Sequence, residues 1–116
     1  MAETFTPRQV RLVDTTETQL IDNGAATNET HIFSISFHND SDVNALAVDV
    51  YVTDGSEGSG GAATAIDKKI RIFLDARQTY VYDTGIALVG ANAQVRVVKT
   101  AGTDPINIQA ETVVYS

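Results

Sequence analysis

The sequence predicts an all-β chain: a single antiparallel β-sandwich of about eight short strands, Ig-like or jelly-roll-like in its connections, with an extended N-terminal arm. Three observations carry this. Apolar and polar residues alternate with a period of two, most plainly where Ile70, Ile72 and Leu74 interleave with Lys69, Arg71 and Asp75. The alternating runs are cut by turn clusters such as Asp75-Ala76, Asp83-Thr84-Gly85 and Gly90-Ala91-Asn92. No apolar pattern of period 3.6 lasts long enough for a helix, and no stretch repeats at a fixed interval.

Residues 1–8 read as the arm and residues 9–116 as the sandwich domain, since 116 residues suit one core rather than two. Pro7 biases Thr6 toward an extended backbone, and Glu3 and the threonines favour neither helix nor buried strand. Val10 with Leu12, and Leu20 with Ile21, mark two short strands around the polar Asp14-Thr15-Thr16-Glu17 turn. Asp22-Asn23-Gly24 is a further turn, because Asn and Gly tolerate positive φ. From His31 the alternation sets Phe33, Ile35 and Phe37 on one face and Ile32, Ser34, Ser36 and His38 on the other. After Asn39-Asp40-Ser41-Asp42, a second alternating run has Leu46, Val48, Val50 and Val52 on its apolar side, and the two runs are expected to pair as an antiparallel hairpin. A Gly-rich surface loop follows at 54–63, flexible by composition. The last strand sets Ile106, Ile108, Ala110, Thr112 and Val114 against Asn107, Gln109, Glu111, Val113 and Tyr115.

Composition narrows the function classes. With no cysteine there is neither a disulfide framework nor a thiolate zinc site. The amino terminus lacks an apolar run, so neither a signal peptide nor a membrane anchor is expected, and synthesis in the cytoplasm is expected. The sequons at Asn28 and Asn39 then read as chance matches in turns. Residues 1–57 carry ten acidic side chains against Arg8 and Arg11, a net of −8, whereas residues 58–116 carry six basic against five acidic, a net of +1. Such an acidic half argues against nucleic acid as a partner; it serves solubility or a docking field for a basic surface.

Chemistry-bearing constellations are sparse. His31 and His38, seven residues apart on one strand, are expected on opposite faces about 23 Å apart. Ser36, His38 and Asp40 could be imagined as a triad, but no nucleophile elbow or oxyanion-hole motif accompanies them. Asp40 and Asp42 read as turn formers. The Gly-rich loop lacks phosphate-binding order, and Asp54, Ser56 and Glu57 lack EF-hand spacing as a calcium set. Asp67-Lys68-Lys69-Ile70-Arg71 reads as a solvated strand face. No catalytic, cofactor-binding or metal-ligating residue is assigned, and no enzyme is expected.

From His31 onward FSISFHNDSD leads to the valine-rich LAVDVYVTDG, then the Gly-rich loop, an element with Ile86, Leu88 and Gly90, the Val95-Arg96-Val97 strand, and a final strand bearing Glu111 and ending at Tyr115. This order of features resembles the small β-sandwich virion proteins of tailed bacteriophages, which decorate or cement the head or join the neck and tail. The resemblance implies a non-enzymatic structural role, many copies or a homo-oligomer bound to the major capsid protein or other virion proteins on the head surface, with no cofactor, nucleic acid or membrane involved. Strand addition by the arm would suit cementing. The expected contact residues are Phe5, Pro7 and Arg8 in the arm, and Tyr51, Phe73 and Tyr115 as outward aromatics. The alternative is a neck, tail or fibre accessory module binding another virion protein or a host glycan, which a groove of Tyr51, Tyr80 and Tyr82 would favour.

Overall fold

The computed structural model describes residues 3–56, 58, 60–64, 67–83, 85–102 and 104–116. Met1 and Ala2 of the expected arm, Glu57 of the calcium set and Thr84 of the Asp83-Thr84-Gly85 turn lie outside the described residues. The strands are β1 (Glu3–Phe5), β2 (Arg8–Leu12), β3 (Thr18–Asp22), β4 (Glu29–Asn39), β5 (Leu46–Thr53), β6 (Lys68–Leu74), β7 (Thr79–Tyr82), β8 (Ile86–Val89), β9 (Gln94–Ala101) and β10 (Ile106–Tyr115).

These ten strands occupy eight positions in two antiparallel sheets, which explains why about eight were expected from the turns. In the first sheet β10 and β4 are central, β1 and β2 share one edge against β10, and β7 and β8 share the other edge against β4. The second sheet runs β3-β9-β5-β6. Successive strands alternate between sheets through most of the chain, the jelly-roll order of two interleaved Greek keys, so the choice between Ig-like and jelly-roll connections falls to the latter.

Between the sheets lies one apolar core, with Phe37, Val48, Val95, Val97 and Ile106 fully buried and Ile35, Val50 and Leu74 nearly so. Val, Ile and Leu supply most of it, as the scarcity of aromatics requires, each fully buried side chain contributing about 1.5–3 kcal/mol relative to exposure.

The expected hairpin of β4 with β5 does not form; the two strands lie in opposite sheets. Alternation reports which face is buried and is silent about the hydrogen-bonding neighbour. The crossing is held by the buried Asn39, whose amide nitrogen donates to the carbonyls of Asn44 (2.8 Å), Leu74 (3.3 Å) and Asp75 (2.9 Å), while its side-chain oxygen accepts from the Ser41 amide (2.9 Å). That cluster turns the chain from the end of β4 in the first sheet toward β5 in the second.

A second correction concerns faces on β4. Glu111 pairs with Ser34 and Thr112 with Ile32, so Phe33 is an extra residue on β4, a β-bulge. Thr30 and Ile32 therefore face the core in step with Ile35, Phe37 and Asn39, and Phe33 is turned out to 52% exposure instead of sharing the Ile35 face. Both edges break at the same level: β1 gives way to β2 at Thr6-Pro7, opposite Thr112, and β8 and β7 flank β4 on either side of the bulge. The first sheet is thus divided by one transverse line of irregularity.

The extended N-terminal segment is hydrogen-bonded to its own sheet. Glu3–Phe5 pair with Val113–Tyr115, and the junction is closed by Thr6 N–H donating to the Thr112 carbonyl (3.0 Å) and the Thr112 hydroxyl donating to the Thr6 carbonyl.

Candidate interaction surfaces

The transverse line separates the outer face of the first sheet into two chemically different halves. On the β2 side, Gln9, Arg11, Ser36, His38, Asn107 and Gln109 line a shallow depression of about 500 Å³. Arg11 donates from Nη1 to Asn107 Oδ1 (2.7 Å) and from Nη2 to Asp40 Oδ2 (3.0 Å). His38 Nδ1 is hydrogen-bonded to the Thr79 hydroxyl at 2.7 Å, and its Nε2 lies 4.0 Å from Asp40. The Ser36 hydroxyl donates instead to the Gln109 carbonyl (3.4 Å). Ser36, His38 and Asp40 are therefore neighbours without the serine-to-imidazole bond that nucleophile activation needs.

The other half is aromatic and acidic. One cross-strand row carries Phe5, Val113, His31 and Ala87, and the next carries Glu3, Tyr115, Glu29 and Val89. His31 Nε2 meets Glu29 Oε1 at 2.7 Å, and its ring stands edge-on to Tyr115 with centroids 5.1 Å apart. Since the bulge inserts one residue between them, His31 and His38 both face outward, correcting the expectation of opposite faces. They still sit in separate halves and form no common site.

The outer face of the second sheet is built around charge. Asp49, on central strand β5, is 2% exposed, accepts bidentate bonds from Arg71 Nε (2.7 Å) and Nη2 (3.0 Å), and meets Lys69 Nζ at 3.1 Å. The Arg71 bonds, aided by Lys69, hold the Asp49 carboxyl below its ordinary pKa against the opposing effect of burial. Lys69 Nζ also lies 5.9 Å from the Tyr51 ring centre. The basic run is thus partly neutralised by a buried acid.

Alongside, Glu17 Oε2 accepts from Arg96 Nε (2.8 Å) and from the Ala63 amide (2.8 Å), Arg96 Nη1 donates to Gln94 Oε1 (2.9 Å), and Gln94 Nε2 donates to the Gly58 carbonyl (2.7 Å). This network ties described residues of the Gly-rich loop to the sheet. Gly55, at φ +87°, approaches so closely that a Cβ would overlap the Ala91 carbonyl oxygen. Asp54, from the calcium set, accepts the Ser56 amide (2.9 Å), a turn bond that lowers its pKa. Among the described residues no three of His, Asp and Glu converge to hold a metal ion.

The expected contact residues are distributed over an edge and two opposite faces. Phe5, Pro7 and Arg8 are exposed along the β1-β2 edge, Tyr115 is half-buried on the first sheet, and Tyr51, half-buried, and Phe73, exposed, lie on the second. Tyr82 packs against the core and Tyr80 lies beside it on β7, so Tyr51, Tyr80 and Tyr82 form no groove. Sequence reading missed Phe33, because a bulge leaves no mark in the alternation, and missed the Glu17–Arg96 pair, whose members are 79 residues apart.

No protein-family model matches the chain, and no curated protein matches it. Solved structures do. A chain of the T13 infectious bursal disease virus particle matches 97% of this chain with a TM-score of 0.52 at 10% identity, and one from the Gx strain of that virus matches 97% with a TM-score of 0.51 at 12% identity. This chain spans 30% and 32% of those two chains. A chain from the Bacillus endospore appendages, disulfide-linked pili, is covered over 91% of its length and covers all of this one (100%), with a TM-score of 0.48 at 10% identity. The likeness to the virus-particle chains shows a shared fold: this is an all-β, jelly-roll-like protein of the architecture found in virus particles.

Proposed function

We propose that this chain is a non-enzymatic structural protein of a virus particle, a bacteriophage head decoration or cement protein that binds the major capsid protein lattice in many copies. The observation that carries the reading is the fate of its phenylalanines. Of four, only Phe37 is buried; Phe5, Phe33 and Phe73 are 78%, 52% and 71% exposed on strand faces or edges. Large exposed apolar side chains on a well-packed domain are what an interaction protein presents to its partners. The jelly roll shared with virus-particle chains supports the same reading. The head surface is its proposed location, after synthesis in the host cytoplasm.

The test is the copy number and position of the chain in purified particles, by quantitative protein analysis with imaging. Abundance near that of the coat protein, spread over the head, is the expected result. A few copies at one vertex or along the tail would move the protein to the neck or fibre, and absence from particles would overturn the reading.

A further inference from the structure

We propose that the aromatic half of the first sheet's outer face docks a protein surface with an apolar centre ringed by lysine or arginine. The inference deepens the structural role proposed above and rests on it only for who that partner is, a neighbouring particle protein; the chemistry of the surface stands by itself.

The patch has a centre and a rim. Phe5 and Phe33 are 78% and 52% exposed, Val89 is 64% exposed, and the half-buried Tyr115 lies between the Phe5 and Val89 strands. These side chains stand on paired strands, so their positions are set before any partner arrives and little ordering entropy is lost on contact. Val113, the cross-strand partner of Phe5, is 2% exposed, so the patch is closed at this position.

On the paired strands around this centre the charged side chains are carboxylates, and Arg8 of β2 lies across the Thr6-Pro7 break. Glu3 and Glu29 flank Tyr115 on its two neighbouring strands, and Glu111 projects beside the bulge that carries Phe33. No Lys or Arg lies on the two cross-strand rows; Arg11 is beyond the transverse line, bound to Asp40 and Asn107. The described cations of β6 and β9 belong to the other sheet, where Asp49 and Glu17 engage Lys69, Arg71 and Arg96.

That asymmetry selects the occupant. A second copy docked face to face would set one carboxylate rim against another, an opposition that interfaces avoid. An anionic membrane or nucleic acid would be repelled by the same rim. A surface with basic groups around an apolar centre is complementary in both respects.

The test uses the full chain and three synthetic peptides of equal length, rich in Lys and Leu, in Glu and Leu, or in Lys and Ser, with amide NMR shifts as the readout. The Lys-Leu peptide is expected to shift the amides of Glu3–Phe5, 31–33, 87–89 and Val113–Tyr115. Phe5→Ser with Phe33→Ser, both at exposed positions, should weaken that binding roughly thirtyfold. Glu3→Gln, Glu29→Gln and Glu111→Gln together should weaken it about tenfold and abolish its salt dependence. Equal response to the Glu-Leu peptide, shifts confined to β6, or no shifts would overturn the proposal. So would self-association of the wild-type chain that is lost in the Phe5→Ser, Phe33→Ser variant, since it would assign the patch to a second copy. Because no particle is used, this result is independent of whether the chain is found in virions.

Discussion

His31 and His38 lie on the same outward face of β4, although seven residues separate them, because Phe33 is inserted between the residues that pair with Glu111 and Thr112. The bulge absorbs that extra residue, so Thr30 and Ile32 share the core face with Ile35 and Phe37 although an odd number of positions separates them.

Deleting Phe33 should therefore be far less damaging than deleting Ser36. Without Phe33, Ile32, Ser34 and Ile35 follow one another with a regular period of two against Thr112, Glu111 and Ala110, so the inward side chains of β4 stay inward, and the cost should stay within about 1 kcal/mol. Deleting Ser36, on the regular stretch, forces Ile35, or Phe37 with Asn39, out of the core, costing about 3 kcal/mol or more by the burial lost. Urea unfolding midpoints distinguish the two; equal effects would refute the account of the bulge.

Asp49→Asn removes the charge that the half-exposed Arg71 and Lys69 share. The expected loss is about 1–2 kcal/mol at neutral pH, held down because both cations are partly solvated. As the folded carboxyl titrates below the ordinary value of 3.8, its contribution is complete above that value and disappears as the pH falls through the lower folded pKa. Unfolding of wild type and Asp49→Asn compared down to acid pH should show curves that converge; a gap that persists undiminished in acid would contradict the pairing.

Glu17→Ala leaves the guanidinium of Arg96, 8% exposed as a residue, without its carboxylate and the Ala63 amide without its acceptor. A loss of about 2–3 kcal/mol is expected. Amide exchange at Ala63 should accelerate more than exchange in β4, and protease cleavage within 54–64 should become faster. Unchanged exchange at Ala63 would show that the loop is held by other means.

Thr112→Val deletes the hydroxyl that donates to the Thr6 carbonyl while keeping the side-chain shape. Since every residue of β1 is exposed, global stability should fall by only about 1 kcal/mol, with exchange protection lost at β1 and retained at β2. Equal loss of protection along both strands would mean that the edge opens as one unit.

The limits of the sequence are clearest on particular strands. On β6 the alternation is unbroken, and it correctly put Ile72 and Leu74 inside and Phe73 outside. On β10 it likewise identified Ile106, Ile108 and Ala110 as the core face. On β4 the same reasoning failed at Phe33, because a bulge is defined by what the neighbouring strand pairs with. Of the aromatics weighed as contacts, Phe5 and Phe73 are open to solvent, whereas Tyr82 is drawn against the core by its position on an edge strand over Ile35.

By itself, then, the chain's residue pattern determined an all-β sandwich, its turn positions, the inward faces of its regular strands and its acidic surplus, all local or additive properties. Tertiary structure alone decided that β4 and β5 part company, that the connections form a jelly roll, and that Glu17 meets Arg96. It also decided that Phe5, Tyr115 and Glu29 gather on one face. The physical reason is that hydrogen-bond partners and bulges are relations between segments distant in the chain, and a two-residue period carries no label for the neighbour it will meet.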